Sequence, residues 1–98
     1  MRKFLVLYRS DVSAEEQMAN TAPEQAQAGM QAWNEWFTKA GSVVVDGGSP
    51  VSGDDRTIGG YSVLQADSRQ ELDKLLEAHP HRAVGTIEVL EFLTMPGM

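Results

Sequence analysis

Two histidines flank a proline at the end of an apolar segment, His79-Pro80-His81. Imidazole titrates near neutrality, so either ring could serve as a general acid or base. His79 is the stronger candidate. It follows Leu72 by seven residues and so continues the apolar face of the segment before it. The competing reading is a packed ring that caps a helix end. His81 reads as a loop residue within reach of a ligand. Asp46 closes an apolar strand and opens Gly47-Gly48, where a carboxylate could act as a base or orient a substrate. The favoured reading is an ordinary strand-ending turn residue. Tyr61 carries a hydroxyl that could donate to a ligand or across a dimer. Trp33, Trp36 and Phe37 could line a pocket for a flat molecule, although aromatics at helical spacing are also ordinary core. Trp33 is assigned to the buried side and Trp36 to the surface or an interface. Arg56 reads as a solvated loop charge.

Other chemistries lack their residues. The chain has no Cys, so thiolate catalysis, disulfides and Cys-ligated metals are excluded. His-x-His supplies two ligands where a metal needs three or four, and Asp46, Asp54 and Asp55 lie in Gly-rich surroundings that read as solvated loop. No metal is expected. No serine sits in a G-x-S-x-G elbow, and Gly47-Gly48 lacks the lysine and helix of a phosphate loop, so no cofactor is expected either.

These residues need elements to hold them. Residues 3–8 (KFLVLY) form a short apolar run typical of a buried strand. Ser13-Ala14-Glu15-Glu16 has the pattern of a capping box and predicts a short helical turn. Thr21-Ala22-Pro23-Glu24 repeats that pattern and opens a helix running to about Ala40, with Gly41 as its stop. Along it Ala26, Met30, Trp33, Phe37 and Ala40 share one apolar stripe. Residues 42–46 (SVVVD) read as a second strand and 47–56 as a loop. Residues 58–66 (IGGYSVLQA) read as a third strand, its Gly pair marking a bulge or a close approach. Ser68-Arg69-Gln70-Glu71 caps a second helix that buries Leu72, Leu75 and Leu76 and ends near Ala78, ahead of Pro80. Residues 85–93 (GTIEVLEFL) form a fourth strand and 94–98 a tail.

The order β-α-β-β-α-β is that of a ferredoxin-like α+β domain: a four-stranded antiparallel sheet with two helices on one face. The other face alternates into large apolar groups, which predicts a sheet-to-sheet homodimer. With 98 residues there is room for a single domain, residues 1–98. The net charge of −6 and the lack of a basic stripe argue against nucleic acid and anionic membranes. The N-terminal apolar run stops at Arg9, too soon for a signal segment, and reads as strand one of a cytoplasmic domain.

The chain resembles the YCII-related family, especially its DGPF-type branch. The resemblance rests on the Phe4-Leu5-Val6-Leu7-Tyr8 opening, the Trp-containing helix ending in Lys39-Ala40-Gly41, Gly47-Gly48 and Ile58-Gly59-Gly60-Tyr61. It also rests on Ala78-His79-Pro80-His81, followed by Gly85-Thr86-Ile87-Glu88-Val89. It implies a dimeric α+β barrel with a cleft for a small molecule. Some relatives pair a helix-one His with an Asp just before the proline, regarded as acid and base. Here those positions are Met30, or a residue close to it, and His79, so that pair is absent. The DGPF tetrapeptide is absent too, and the loop shortens to Gly53-Asp54-Asp55-Arg56. The expected activity is lyase-like elimination or proton transfer on a small aromatic or carbonyl compound. His79 would be the acid–base residue, Asp46 or Tyr61 would orient the substrate, and Met30, Trp33 and His81 would line its site. Two other readings stand beside this one. The first is a cofactor-free monooxygenase-like enzyme, suggested by Trp33-Asn34. The second is a non-catalytic binding or regulatory module.

Overall fold

The computed structural model describes residues 1–96. Strand β1 spans Arg2–Arg9, and its alternation is clean: Phe4, Val6 and Tyr8 are buried while Leu5 and Leu7 are half-buried on the other face. Helix α1 (Ala14–Asn20) begins where the Ser13 hydroxyl accepts from the Glu16 amide at 3.2 Å. Helix α2 (Pro23–Ala40) does not use the predicted Thr21 cap. Ala22 holds the cap position without a side-chain bond, and the Thr21 hydroxyl donates back to the Gln17 carbonyl. Proline in the first turn removes one of the amides that would otherwise need a partner.

Residues Gly41–Val43 form a 3-10 turn, so strand β2 shortens to Val44–Asp46. Strand β3 (Ile58–Ala66) follows. Helix α3 (Arg69–Leu76) starts at the predicted Ser68 cap, whose hydroxyl accepts from Glu71 N at 3.2 Å, and stops two residues short of Ala78. A second 3-10 turn, Pro80–Ala83, then leads to strand β4 (Thr86–Glu91).

The four strands lie in the order β2-β3-β1-β4, with every neighbouring pair antiparallel. Two central strands flanked by the other two complete the ferredoxin-like arrangement. Register slips where β1 meets the glycine pair: Tyr8 faces Gly60, but Arg9 faces Ile58, leaving Gly59 as the extra residue of a bulge. The stretch expected to be free loop is partly sheet. Pro50 bridges to Gly60, and Val51 N donates to the Gly59 carbonyl at 3.0 Å.

The core lies between the sheet and the helices. Phe4, Val6, Tyr8, Leu64 and Ala66 from the sheet meet Trp36, Leu72 and Leu76. Trp36, assigned from sequence to the surface, is 7% exposed, while Trp33 and Phe37 pack at the core's edge. The indole N–H of Trp36 donates to the Leu75 carbonyl at 3.1 Å. The apolar stripe of α2 is real but centred on Trp36, with Trp33 and Ala40 three and four residues from it and Phe37 adjacent at its edge. Met30 continues that stripe yet is 68% exposed, because residues 23–31 extend past the packed core and are exposed throughout.

The opposite sheet face carries Leu5, Leu7, Tyr61, Val63 and Leu90. At its rim Arg9 is held by Glu88 (2.6 Å), Asp55 (3.2 Å) and the Thr57 hydroxyl (2.7 Å).

Candidate functional site

His79 is placed by both sides of its neighbourhood. Upstream, the buried Leu72 and Leu76 seat α3 on the sheet, and His79 N donates to the Leu76 carbonyl at 3.1 Å. Downstream, Pro80 fixes an extended residue before it and starts the 3-10 turn. The imidazole turns inward and is 3% exposed. Tyr8 stacks on it at 4.9 Å between centroids, and Trp33 and Trp36 each approach to 4.6 Å. Three aromatic rings from β1 and α2 thus wall one imidazole.

Its two nitrogens are unequal. Nδ1 accepts from the His81 amide at 3.0 Å. Nε2 is buried and has no hydrogen-bond partner among the described residues. Such a group costs roughly 1–3 kcal/mol when left unmatched. Burial, followed by the neighbouring charges of His81 and Arg82, pulls the His79 pKa down to about 4. His81 is 7% exposed rather than a free loop residue. Its Nε2 lies 2.8 Å from the Arg9 carbonyl, which can only accept, so this nitrogen carries a proton. Gly85 permits that contact: a Cβ there would stand 2.0 Å from the Arg9 carbonyl oxygen and 2.7 Å from His81 Nε2.

Beside His79 a short polar chain crosses the core. The Tyr8 hydroxyl donates to Ser62 Oγ at 2.8 Å, and Ser62 donates to the Gly47 carbonyl at 2.8 Å. Burial raises the Tyr8 pKa, and the Ser62 bond offsets part of that rise.

The other residues singled out from sequence lie elsewhere. Tyr61 is opposite Leu7 on the outer sheet face, so its hydroxyl and His79 are on different sides of the sheet. Asp46 is exposed, and its carboxylate accepts from Gly48 N at 2.8 Å in a turn. Neither Tyr61 nor Asp46 therefore makes a hydrogen bond to His79, beside which they were expected to orient a substrate. Met30 stands in the exposed half of α2; the α2 residues that face His79 are Trp33 and Trp36. Arg56 pairs with Glu15 at 3.6 Å. Among the described residues no three His, Asp or Glu side chains converge as a metal site would require. No helix among them is long and apolar enough to cross a membrane.

Sequence reasoning missed Tyr8 and Ser62. The signal was present: Tyr8 ends the buried set Phe4, Val6, Tyr8, and Ser62 is the single polar side chain on the buried face of β3. A buried hydroxyl needs a partner, and these two answer each other. The Arg9 cluster was missed as well, because nothing local in the sequence links Arg9 to Asp55 or Glu88.

A ferredoxin-like sheet with one helix-covered face and one apolar open face defines the class: an α+β domain of the kind that builds α+β barrels. The model of the YCII-related domain matches residues 3–96, and the chain belongs to that family. Among solved structures, it is similar to 5-chloro-2-hydroxyhydroquinone dehydrochlorinase (TftG) from Burkholderia phenoliruptrix AC1100, in complex with 2,5-dihydroxybenzoquinone. The TM-score is 0.59 at 14% sequence identity, covering 95% of this chain and 94% of that one. At that identity the likeness concerns the fold alone. Comparison with curated proteins gave no match.

Proposed function

We propose that this chain binds a small, flat, oxygen-bearing molecule at His79 and promotes elimination or proton transfer on it. The observation that carries the reading is the His79 imidazole: buried, walled by Tyr8, Trp33 and Trp36, and with one nitrogen unmatched. Aromatic walls suit a planar ring, and a lone unmatched polar atom at their centre suits a single oriented hydrogen bond. Tyr8, Trp33 and Trp36 already contact the imidazole, so a ligand reaching Nε2 would have to displace one of them, and the half-buried Trp33 at the core's edge is the one best placed to move. The fold neighbour's complex with 2,5-dihydroxybenzoquinone, and its name as a dehydrochlorinase, agree with this ligand class and reaction type.

We further propose a homodimer through the outer sheet face, which would cover Leu5, Leu7, Tyr61, Val63 and Leu90. Tyr61 would then contact the partner copy or a ligand held between the sheets. Asp46 takes no part in the proposed reaction: it is exposed at the end of β2, where one of its carboxylate oxygens accepts from the Gly48 amide.

The test is titration of the protein with 2,5-dihydroxybenzoquinone and a panel of hydroxylated aromatics, followed by tryptophan fluorescence. Binding should quench Trp33 and Trp36 and should be lost in His79→Phe. Failure of the whole panel to bind would refute the reading. Saturable binding with no turnover of any panel member would leave a binding module and remove the enzyme.

A further inference from the structure

The hydrogen bonds around His79 restrict what it can do for a ligand. Nδ1 accepts from the His81 amide, so its lone pair is already engaged. A neutral imidazole has one donor and one acceptor nitrogen, and the remaining proton therefore resides on Nε2. That amide cannot swing away freely. His81 is anchored through its own ring to the Arg9 carbonyl, its carbonyl accepts from Val84 and Gly85, and Arg82 Nε donates to the Leu76 carbonyl at 2.8 Å. Pro80, between the two histidines, adds its fixed φ. The turn holds the amide, the amide holds Nδ1, and Nδ1 sets the tautomer.

We infer that His79 is a fixed neutral hydrogen-bond donor, whose Nε2–H takes a carbonyl or phenolate oxygen of a planar ligand, and that it does not act as the base of the reaction. The inference rests on the reading above, that the ligand binds at His79, and assigns the role of this residue and the class of ligand. A ring oxygen matches Nε2–H, whereas a ring bearing only N–H donors sets donor against donor. As a donor His79 would stabilise negative charge gathering on that oxygen, with no proton leaving the imidazole. The surroundings agree. Tyr8, Trp33 and Trp36 bring no charge to the ring, burial disfavours a second proton on it, and the Arg82 guanidinium adds to that.

The experiment uses the full chain with 15N-labelled histidine. Long-range 1H–15N spectra at pH 7 should show His79 neutral and protonated on Nε2. They should show the same tautomer, with its Nε2 proton shifted downfield, when 2,5-dihydroxybenzoquinone saturates the site. That quinone should bind at least about tenfold more tightly than 1,4-diaminobenzene, a planar six-membered ring that offers N–H donors and no ring oxygen. A difference of that size is close to one good hydrogen bond. His79→Gln keeps an N–H donor and should retain binding within about threefold, whereas His79→Phe should lose about tenfold or more. An Nδ1–H tautomer, or conversion to imidazolium when the quinone binds, would overturn the inference and leave the binding reading intact. Absence of binding to the wild-type chain by the quinone and the hydroxylated aromatics alike would remove both. Should His79→Phe fail to fold, the wild-type spectra still decide the tautomer.

Discussion

A buried neutral histidine makes a sharp prediction about acid stability. In the folded chain the His79 pKa is pushed down to about 4, against 6.5 for the free side chain. Between those values the unfolded chain binds a proton that the folded chain excludes, so acid favours unfolding there. Stability from this residue is complete above about pH 6.5 and falls as pH drops toward about 4. Each pH unit inside that window is about 1.4 kcal/mol, so moving from pH 7 to pH 5 should remove about 2 kcal/mol. A domain of this size has a total of roughly 5–15 kcal/mol, and the loss is large against it. The carboxylate of Asp55, held below its ordinary range by the Thr57 hydroxyl and amide and by Arg9, titrates beneath this window and does not confuse it. Urea denaturation at pH 7, 6 and 5 should be run on the wild type and on His79→Gln. The wild type should lose about 2 kcal/mol more than the variant across that range. Equal losses in the two proteins would show that His79 is not excluded from protonation in the native state, and the argument from burial would fail.

Three other outcomes follow from the packing. Trp36→Ala should cost about 3–5 kcal/mol by thermal or urea unfolding, while Trp36→Phe, which forfeits the bond to the Leu75 carbonyl, should cost about 1 kcal/mol. Gly48 has φ 79° and a Cβ there would lie 1.7 Å from the Tyr61 carbonyl oxygen, so Gly48→Ala should destabilise by more than about 2 kcal/mol, read as a fall in melting temperature. Val63→Asp places a charge at the centre of the outer sheet face; it should convert the proposed dimer to monomer in sedimentation while circular dichroism stays unchanged, and a wild type already monomeric at micromolar concentration would refute the dimer.

Element order was legible because each element carries its own local signal. Ser13 and Ser68 accept from the third residue on, as their capping boxes require. Along β1 and β3, Phe4, Val6, Leu64 and Ala66 share the core side, but the opposite face is apolar too, so alternation alone does not say which face is buried. Failures came where a local pattern needed a tertiary partner to give it meaning. The stripe on α2 passes through Met30 and Trp33 alike, but where the core beneath it stops depends on how the sheet lies, and the sequence of α2 does not contain that information. Trp36 and Trp33 exchanged roles for the same reason. His79 was legible as a residue, since Leu72 and Pro80 bracket it, but its neighbours were not. Asp46 ends β2 and Tyr61 lies within β3; face parity sends Tyr61 outward, and a two-residue turn claims Asp46. Tyr8, 71 positions away in the chain, is what stacks on the imidazole instead.

The two faces of this sheet therefore divide the labour that the sequence had seemed to assign to one cluster. Parity along β1 decides it: Phe4, Val6 and Tyr8 look toward the helices, Leu5 and Leu7 away. Everything that touches His79 comes from the helix side of one chain, so the box around it does not need a second copy to be complete. Everything proposed for association lies on the other side. A dimer-breaking change such as Val63→Asp should leave the His79 tautomer as it was, because no part of the hydrogen-bond chain from Arg9 through His81 to Nδ1 passes through Val63. If ligand binding nevertheless disappears with the dimer, the ligand sits between the sheets near Tyr61 and not in the aromatic box. Parity thus turns a test of assembly into a test of where the site is.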